Sequence, residues 1–258
     1  MSQQDDVSKL YDLPQLIDKI LNITFIFNMV AAFASIFLSH ELKQCTYYIQ
    51  VISSVSYIVL YAINNYECWY KAESVRNQTN IENAFSVSLT EYTTEEYYNN
   101  RFPPSWERYF VNTFESVFFS KNISESLRIR AFIKSLVALY IFIIAIMQVQ
   151  DGVYYPLIAQ TVFSSLFLLS SIALFVYYNK LNHLYNNFYR ELVTNGVTSP
   201  SQLSCLLGFC VEYEMIKSRF NVHWSKNYFK ERNRDLSKRW DIIESKIRFD
   251  KQQDLHQA

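Results

Sequence analysis

CTYYIQVISSVSYIVLYAI, residues 45–63, carries no charge, and a few residues later the chain reads ESVRNQTNIENAFSVSL, residues 73–89. The first stretch is long enough to cross a bilayer core about 30 Å thick as a helix rising 1.5 Å per residue. The second is wet, yet its pattern is still helical. Ile81, Phe85 and Leu89 recur at four-residue spacing, while Arg76, Glu82 and four Asn or Gln residues occupy the other faces. Together they predict a span that leaves the membrane as one continuous helix, extended from Trp69 to Leu89. Such a helix needs a partner for its apolar stripe and a reason for its amides.

Working outward, three further apolar segments match the first: Ile20 to Ser39, Phe132 to Val149 and Leu157 to Tyr178. Four spans therefore divide the chain into a cytoplasmic segment 1–19, a transmembrane hairpin 20–63, a cytoplasmic helical segment 64–131, a second hairpin 132–178 and a cytoplasmic helical tail 179–258. The distribution of Lys and Arg sets the orientation. The loop HELKQ carries only Lys43 and the loop QDGVYYP carries none, whereas residues 64–131 hold seven and the tail after Tyr178 holds thirteen. Both tight hairpin loops are expected outside and both termini in the cytoplasm. The fold class is all-α.

In the central segment, Pro103 and Pro104 interrupt regular helix, and a short helix around Asn112 to Phe119 is expected before the third span. Lys180 to Val193 should continue the fourth span as helix. TNGVTSPSQ reads as a turn, followed by helices from Gln202 to Arg219 and from Trp224 to Phe249. In the last of these, Trp240, Ile243 and Ile247 form the apolar stripe.

Of 258 residues, 50% are hydrophobic, 17% are aromatic and only three are glycine, while formal net charge is zero. A neutral sum names no partner class. Cys45, Cys68, Cys205 and Cys210 lack paired spacing and read as reduced thiols. The opening MSQQDDVSKLYDLPQ is acidic, so the first apolar segment is expected to stay as an anchor rather than be removed as a signal. No nucleophile elbow, metalloprotease helix or glycine-rich phosphate loop is present, and the four histidines are dispersed. Neither catalysis, nor a metal, nor a cofactor is expected.

The membrane segments offer uncharged polar faces instead. Gln160 and Ser164 lie four apart with Ser171 one heptad on, and Gln50, Ser53 and Ser54 mark a second face. Such residues line aqueous paths in assembled subunits, but they equally let helices pack closely. In the tail, Lys226, Lys230 and Arg234 interleave with Trp224, Tyr228 and Phe229, a pattern that holds phosphates and stacks bases. Juxtamembrane topology explains the same charges without a ligand. Arg101 and Arg108 join them as ligand-binding candidates.

Three elements then carry a resemblance: Arg76 with Glu82, Asn83 and Phe85; Tyr97 to Asn100; and Asn112, Phe114, Glu115 and Phe119. Their order between the second and third spans resembles bacterial four-transmembrane effectors of anti-phage defence, the S-four-transmembrane type found beside nucleotidyltransferases. Glu82 stands where that pattern has aspartate, Ala84 replaces a small polar residue and Ser86 replaces a glycine. The resemblance covers roughly Cys45 to Ser171. It implies a pore-forming effector of the bacterial inner membrane, a homo-oligomer with a tetramer favoured, governed by a cyclic oligonucleotide or DNA oligomer from a partner nucleotidyltransferase. It also implies that Arg76, Glu82, Asn83 and Phe85 couple the cytoplasmic part to the pore. A non-conducting membrane scaffold that docks a cytoplasmic partner is the alternative.

Overall fold

The computed structural model describes residues 6–34, 38–92, 101–147, 154–220, 222 and 226–249. The described residues are helical apart from turns and one isolated parallel bridge, Val197 to Phe249. The helices are α1 Asp6–Leu10, α2 Asp12–Ala34, α3 His40–Ile63, α4 Tyr70–Phe85, α5 Trp106–Met147, α6 Tyr154–Tyr189, α7 Pro200–Phe220 and α8 Lys226–Glu244. Two π-helical turns, Asn64–Trp69 and Arg190–Asn195, join α3 to α4 and extend α6. The all-helical class therefore holds. Among the described residues one helical run, Glu41–Phe85, is long and apolar enough to cross a membrane.

Several boundaries differ from expectation. HELKQ is not a loop, because α3 begins at His40. The expected short helix at 112–119 is part of a 42-residue α5, since no Gly or Pro follows Pro104 to interrupt it. Its start is fixed by Ser105, whose Oγ accepts from the Arg108 N–H at 3.3 Å. α4 stops at Phe85 rather than Leu89, because Ser86 adopts φ 52°. α7 opens at Pro200, where a missing N–H costs nothing. Gln202 Oε1 accepts from the Ser199 N–H at 3.1 Å, as a capping residue does.

The chain forms two compact units. One comprises residues 10–71 and 127–175. In it α2 and α3 share a small core of Leu21, Phe25 and Tyr57. Its buried faces are unusually polar: Asn28, Gln50, Ser54 and Ser135 are all nearly inaccessible. Asn28 Nδ2 donates to Ser54 Oγ at 2.9 Å, and Asn64 Nδ2 donates to Asp18 Oδ1 at 2.8 Å. Its outward faces are apolar, with Ile23 and Phe27 on α2, Ile52 and Val55 on α3, and Phe132, Leu136 and Ile143 on α5 exposed.

The other unit comprises residues 1–9, 72–126 and 176–258. It buries a large aromatic and aliphatic core, with Arg76, Asn80, Asn112 and Lys217 buried beside it. Val111, Phe114 and Phe118 of α5 face Leu181, Leu184 and Phe188 of α6, and each row keeps the three- and four-residue spacing of a helix face. Phe114 lies 5.4 Å from Phe188 and 5.2 Å from Trp240 of α8, all ring-centroid distances. Of the expected stripe Trp240, Ile243 and Ile247, Trp240 and Ile247 are buried and Ile243 is half-buried, and α8 ends at Glu244 rather than at Phe249, so Ile247 lies beyond it. The turn after α6 needs Gly196 at φ 74°, a conformation most residues avoid.

Phe114 is fully buried between three helices, whereas Leu89 is 53% exposed beyond the end of α4. Phe114→Ala should destabilise the protein by about 3–5 kcal/mol, and Leu89→Ala should change stability by less than about 0.5 kcal/mol. Chemical denaturation of the purified protein in detergent, followed by intrinsic tryptophan fluorescence, reads the difference.

Candidate functional site

Asn80 and Asn83 of α4 turn inward, while Gln78 stays exposed. Glu73, Arg76, Asn80 and Asn83 repeat at intervals of three and four, so they form one stripe down the helix, and it faces α5 and α7. Within this unit Arg76 is the hub. Its Nε donates to Glu73 Oε2 at 2.7 Å, and its Nη2 donates to both carboxylate oxygens of Glu214 on α7, at 3.1 and 2.8 Å. The guanidinium also lies 5.7 Å from the Tyr213 ring centroid. Lys217 completes the set, 3.0 Å from Glu73 Oε1. Two acids and two bases thus neutralise one another. Burial alone would raise the Glu73 carboxyl, but Lys217 and Arg76 outweigh it and hold the group down to about 2.

Two turns along, Asn83 Oδ1 accepts from Arg108 Nε at 3.1 Å and from Asn112 Nδ2 at 2.9 Å. Asn80, between the two clusters, is 1% exposed, and neither of its amide atoms has a partner among the described residues. On the α5 side, Tyr213 OH and Ser120 Oγ are 3.1 Å apart. Burial pushes the Cys210 thiol up to about 12, so it is no nucleophile. Among the described residues, no group of three His, Cys, Asp or Glu could hold a metal ion.

The four coupling residues therefore fare differently. Arg76 and Asn83 bind neighbouring helices, and Phe85 packs on Trp106 and Tyr109 at 4.9 and 6.0 Å between ring centroids. Glu82 does not reach another helix. It accepts the backbone N–H groups of Leu89 and Thr90, and so holds the loop that leaves its own helix. A carboxylate one turn before a helix end lies within reach of the donors of the following loop, which is why it serves there.

Of the pore-lining candidates, Ser54 accepts from Asn28, and Ser53 donates back to the Gln50 carbonyl at 3.0 Å. Ser171 bonds Ser135 and donates to the Ala131 carbonyl at 3.1 Å. Gln50 is 3% exposed, and its Nε2 has no partner among the described residues. The side chains of Gln160 and Ser164 lie outside the described residues. So do those of the ligand candidates Lys226 and Lys230, and the whole of Tyr97 to Asn100. Arg234 is exposed on α8. Arg101 is spent on the end of α8, its Nη2 donating to the Ile247 carbonyl at 3.1 Å and its N–H to Glu244 Oε1 at 3.2 Å. Arg108 serves Asn83.

Sequence reasoning gave Glu115 no role of its own. It is a half-buried α5 carboxyl whose Oε2 has no partner among the described residues. Burial first, and then the charges of Glu244 and Asp241, push it up to about 8. An acid three residues after Asn112 on the core face of a helix was the available signal.

Glu73→Gln should cost about 2–4 kcal/mol, because it strips Lys217 and half of Arg76 of their counter-charge in a largely buried place. Thermal unfolding at pH 7 measures it. Glu115 works in the opposite sense. A carboxyl whose folded pKa lies above its ordinary 4.5 contributes stability fully below that value and loses it as pH climbs toward about 8. Glu115→Gln should therefore flatten the fall in melting temperature between pH 5 and 8, and a variant with the parental slope would contradict the assignment.

Compared with protein-family models, with curated proteins and with solved structures, the chain matches none significantly.

Proposed function

We propose that this protein is a four-span effector of the bacterial inner membrane with both termini in the cytoplasm. It assembles with copies of itself, tetramers being the favoured form, and opens a pore that depolarises the cell during viral infection. The controlling signal is a nucleotide or oligonucleotide from a partner nucleotidyltransferase. The observation that carries this reading is the inverted polarity of the unit built from residues 10–71 and 127–175. Buried Asn28, Gln50, Ser54 and Ser135 sit beside exposed Ile23, Ile52, Phe132 and Leu136. Water-soluble domains bury the second kind of residue and expose the first. Lipid rewards the reverse arrangement, since polar groups must find partners inside and the apolar rim needs none.

The proposed coupling has support in the other unit. Two of the three elements that carry the resemblance touch there, through the Asn83 to Asn112 hydrogen bond. α5 and α6 each supply residues to both units, so a ligand-driven shift would travel along continuous helices. The scaffold alternative draws on a different fact. Ser54 and Ser171 spend their hydroxyls on neighbouring helices, as packing residues do.

Ile52 is 66% exposed on α3. On the membrane reading Ile52→Lys costs about 2.5–3.5 kcal/mol at mid-bilayer and should empty the membrane fraction. A folded, soluble Ile52→Lys variant would overturn that reading. Purified protein in liposomes should dissipate a potassium diffusion potential once a cyclic dinucleotide or a short DNA oligomer is added. Vesicles that stay sealed under both ligands and without them favour the scaffold.

A further inference from the structure

The buried charges of α4 and α7 cancel, so a phosphate finds no spare cation there. A second group of basic residues is not cancelled. Lys121 of α5 places its Nζ 4.4 Å from the ring centroid of Tyr185 on α6. Arg239 of α8 places its Cζ 5.6 Å from the ring centroid of Phe118. The two rings are themselves 6.1 Å apart. Neither cation forms a salt bridge with a described residue. Glu125, one turn from Lys121, is the one carboxylate that acts on it appreciably, and it also accepts from Tyr178 OH at 3.3 Å.

We infer that Lys121 and Arg239 hold a phosphate of a nucleotide or short oligonucleotide whose base stacks against the adjoining rings. Two cations brought together over aromatic faces repel, and the arrangement becomes favourable when an anion sits between them. Burial depresses the Lys121 ammonium, Glu125 pulls the other way, and the charge of Arg239 adds a smaller push in the same direction as burial, which places the two cations within reach of one another. The rings supply the second half of recognition. Tyr185 and Phe119 are half-buried, and Phe119 pairs with Phe229 of α8 at 6.0 Å between centroids, leaving aromatic surface at the rim. A bare anion site would have no use for that surface.

The gating role of this site rests on the proposed function above; its existence does not. The test uses the full chain in detergent micelles, with a DNA tetranucleotide, inorganic phosphate and vesicles containing phosphatidylglycerol as separate probes. The tetranucleotide should bind, and Lys121→Met and Arg239→Gln should each weaken it about tenfold. Each should also lower the slope of log affinity against log salt by about 0.7. Lys121→Arg should retain binding, and Arg219→Gln, exposed on α7 and outside the pair, should leave it unchanged. Phe229→Leu should weaken the tetranucleotide and not inorganic phosphate, a split that misfolding would not produce.

Tetranucleotide affinity that survives loss of both cations overturns the site, as does equal affinity for inorganic phosphate. Competition by the vesicles at equal phosphate concentration would instead assign the pair to lipid headgroups and overturn it as a nucleotide site. Binding through this pair without ion flux keeps the site and removes the pore. Nucleotide-gated flux indifferent to both variants does the opposite.

Discussion

A guanidinium taken out of water has to be met by acceptors on the sides where water was, and Arg76 organises one unit of this protein around that requirement. Its side chain is about one-tenth exposed, and Glu73 and Glu214 approach it from different directions. One acid comes from its own helix and the other from a helix 138 residues later. Lys217 then meets Glu73 from the other side, so two cations and two carboxylates leave the cluster neutral as a whole. Charge clusters of this kind add little net stability compared with a well-packed apolar core, but removing one member leaves the others stranded. They fix which helices meet and in which register more than how strongly they hold.

The amide-rich face of α4 follows from the same constraint. A helix whose neighbours present carboxylates, hydroxyls and an asparagine cannot offer leucines to all of them. Asn83 satisfies Arg108 and Asn112 at once, which no apolar residue could do. Asn80 stands apart, almost wholly buried and without a partner among the described residues. A buried polar group in that condition is costly. The aromatic core of α5, α6 and α8 lies in the same unit and supplies the apolar burial that offsets it.

Much of the helical framework was legible because apolar periodicity survives translation into structure. Trp240 of the last stripe, the helix after the second apolar run and the turn around Gly196 could all be read, whereas the end of α8 at Glu244, short of Ile247, could not. The Leu89 end of the α4 stripe could not, because periodicity says nothing of where a backbone turns left-handed at Ser86. The unity of α5 is hidden because Phe119 and Phe132 read as ends of separate segments, though nothing in the intervening sequence breaks a helix. The two π turns left no trace in residue pattern at all. The Lys121, Arg239 and Tyr185 group was illegible for another reason: its members come from three helices far apart in sequence, and only packing brings them together. The local bonds of Glu82 were not legible either, because only the fold brings the Leu89 and Thr90 amides back to its carboxylate.

The 138-residue gap between Arg76 and Glu214 also sets an order of events during synthesis. At ribosomal speeds of about 5–20 residues per second, α4 exists on the order of ten seconds before α7 does. For that interval Arg76 has one acid within reach, Glu73, a single turn away at 2.7 Å in the finished fold. The local pair is thus a provisional neutralisation, carried by the nascent helix until Glu214 and Lys217 emerge and convert it into a link between helices. Glu73, which in the finished protein holds both Arg76 and Lys217, is on the ribosome also what spares α4 an unpaired cation.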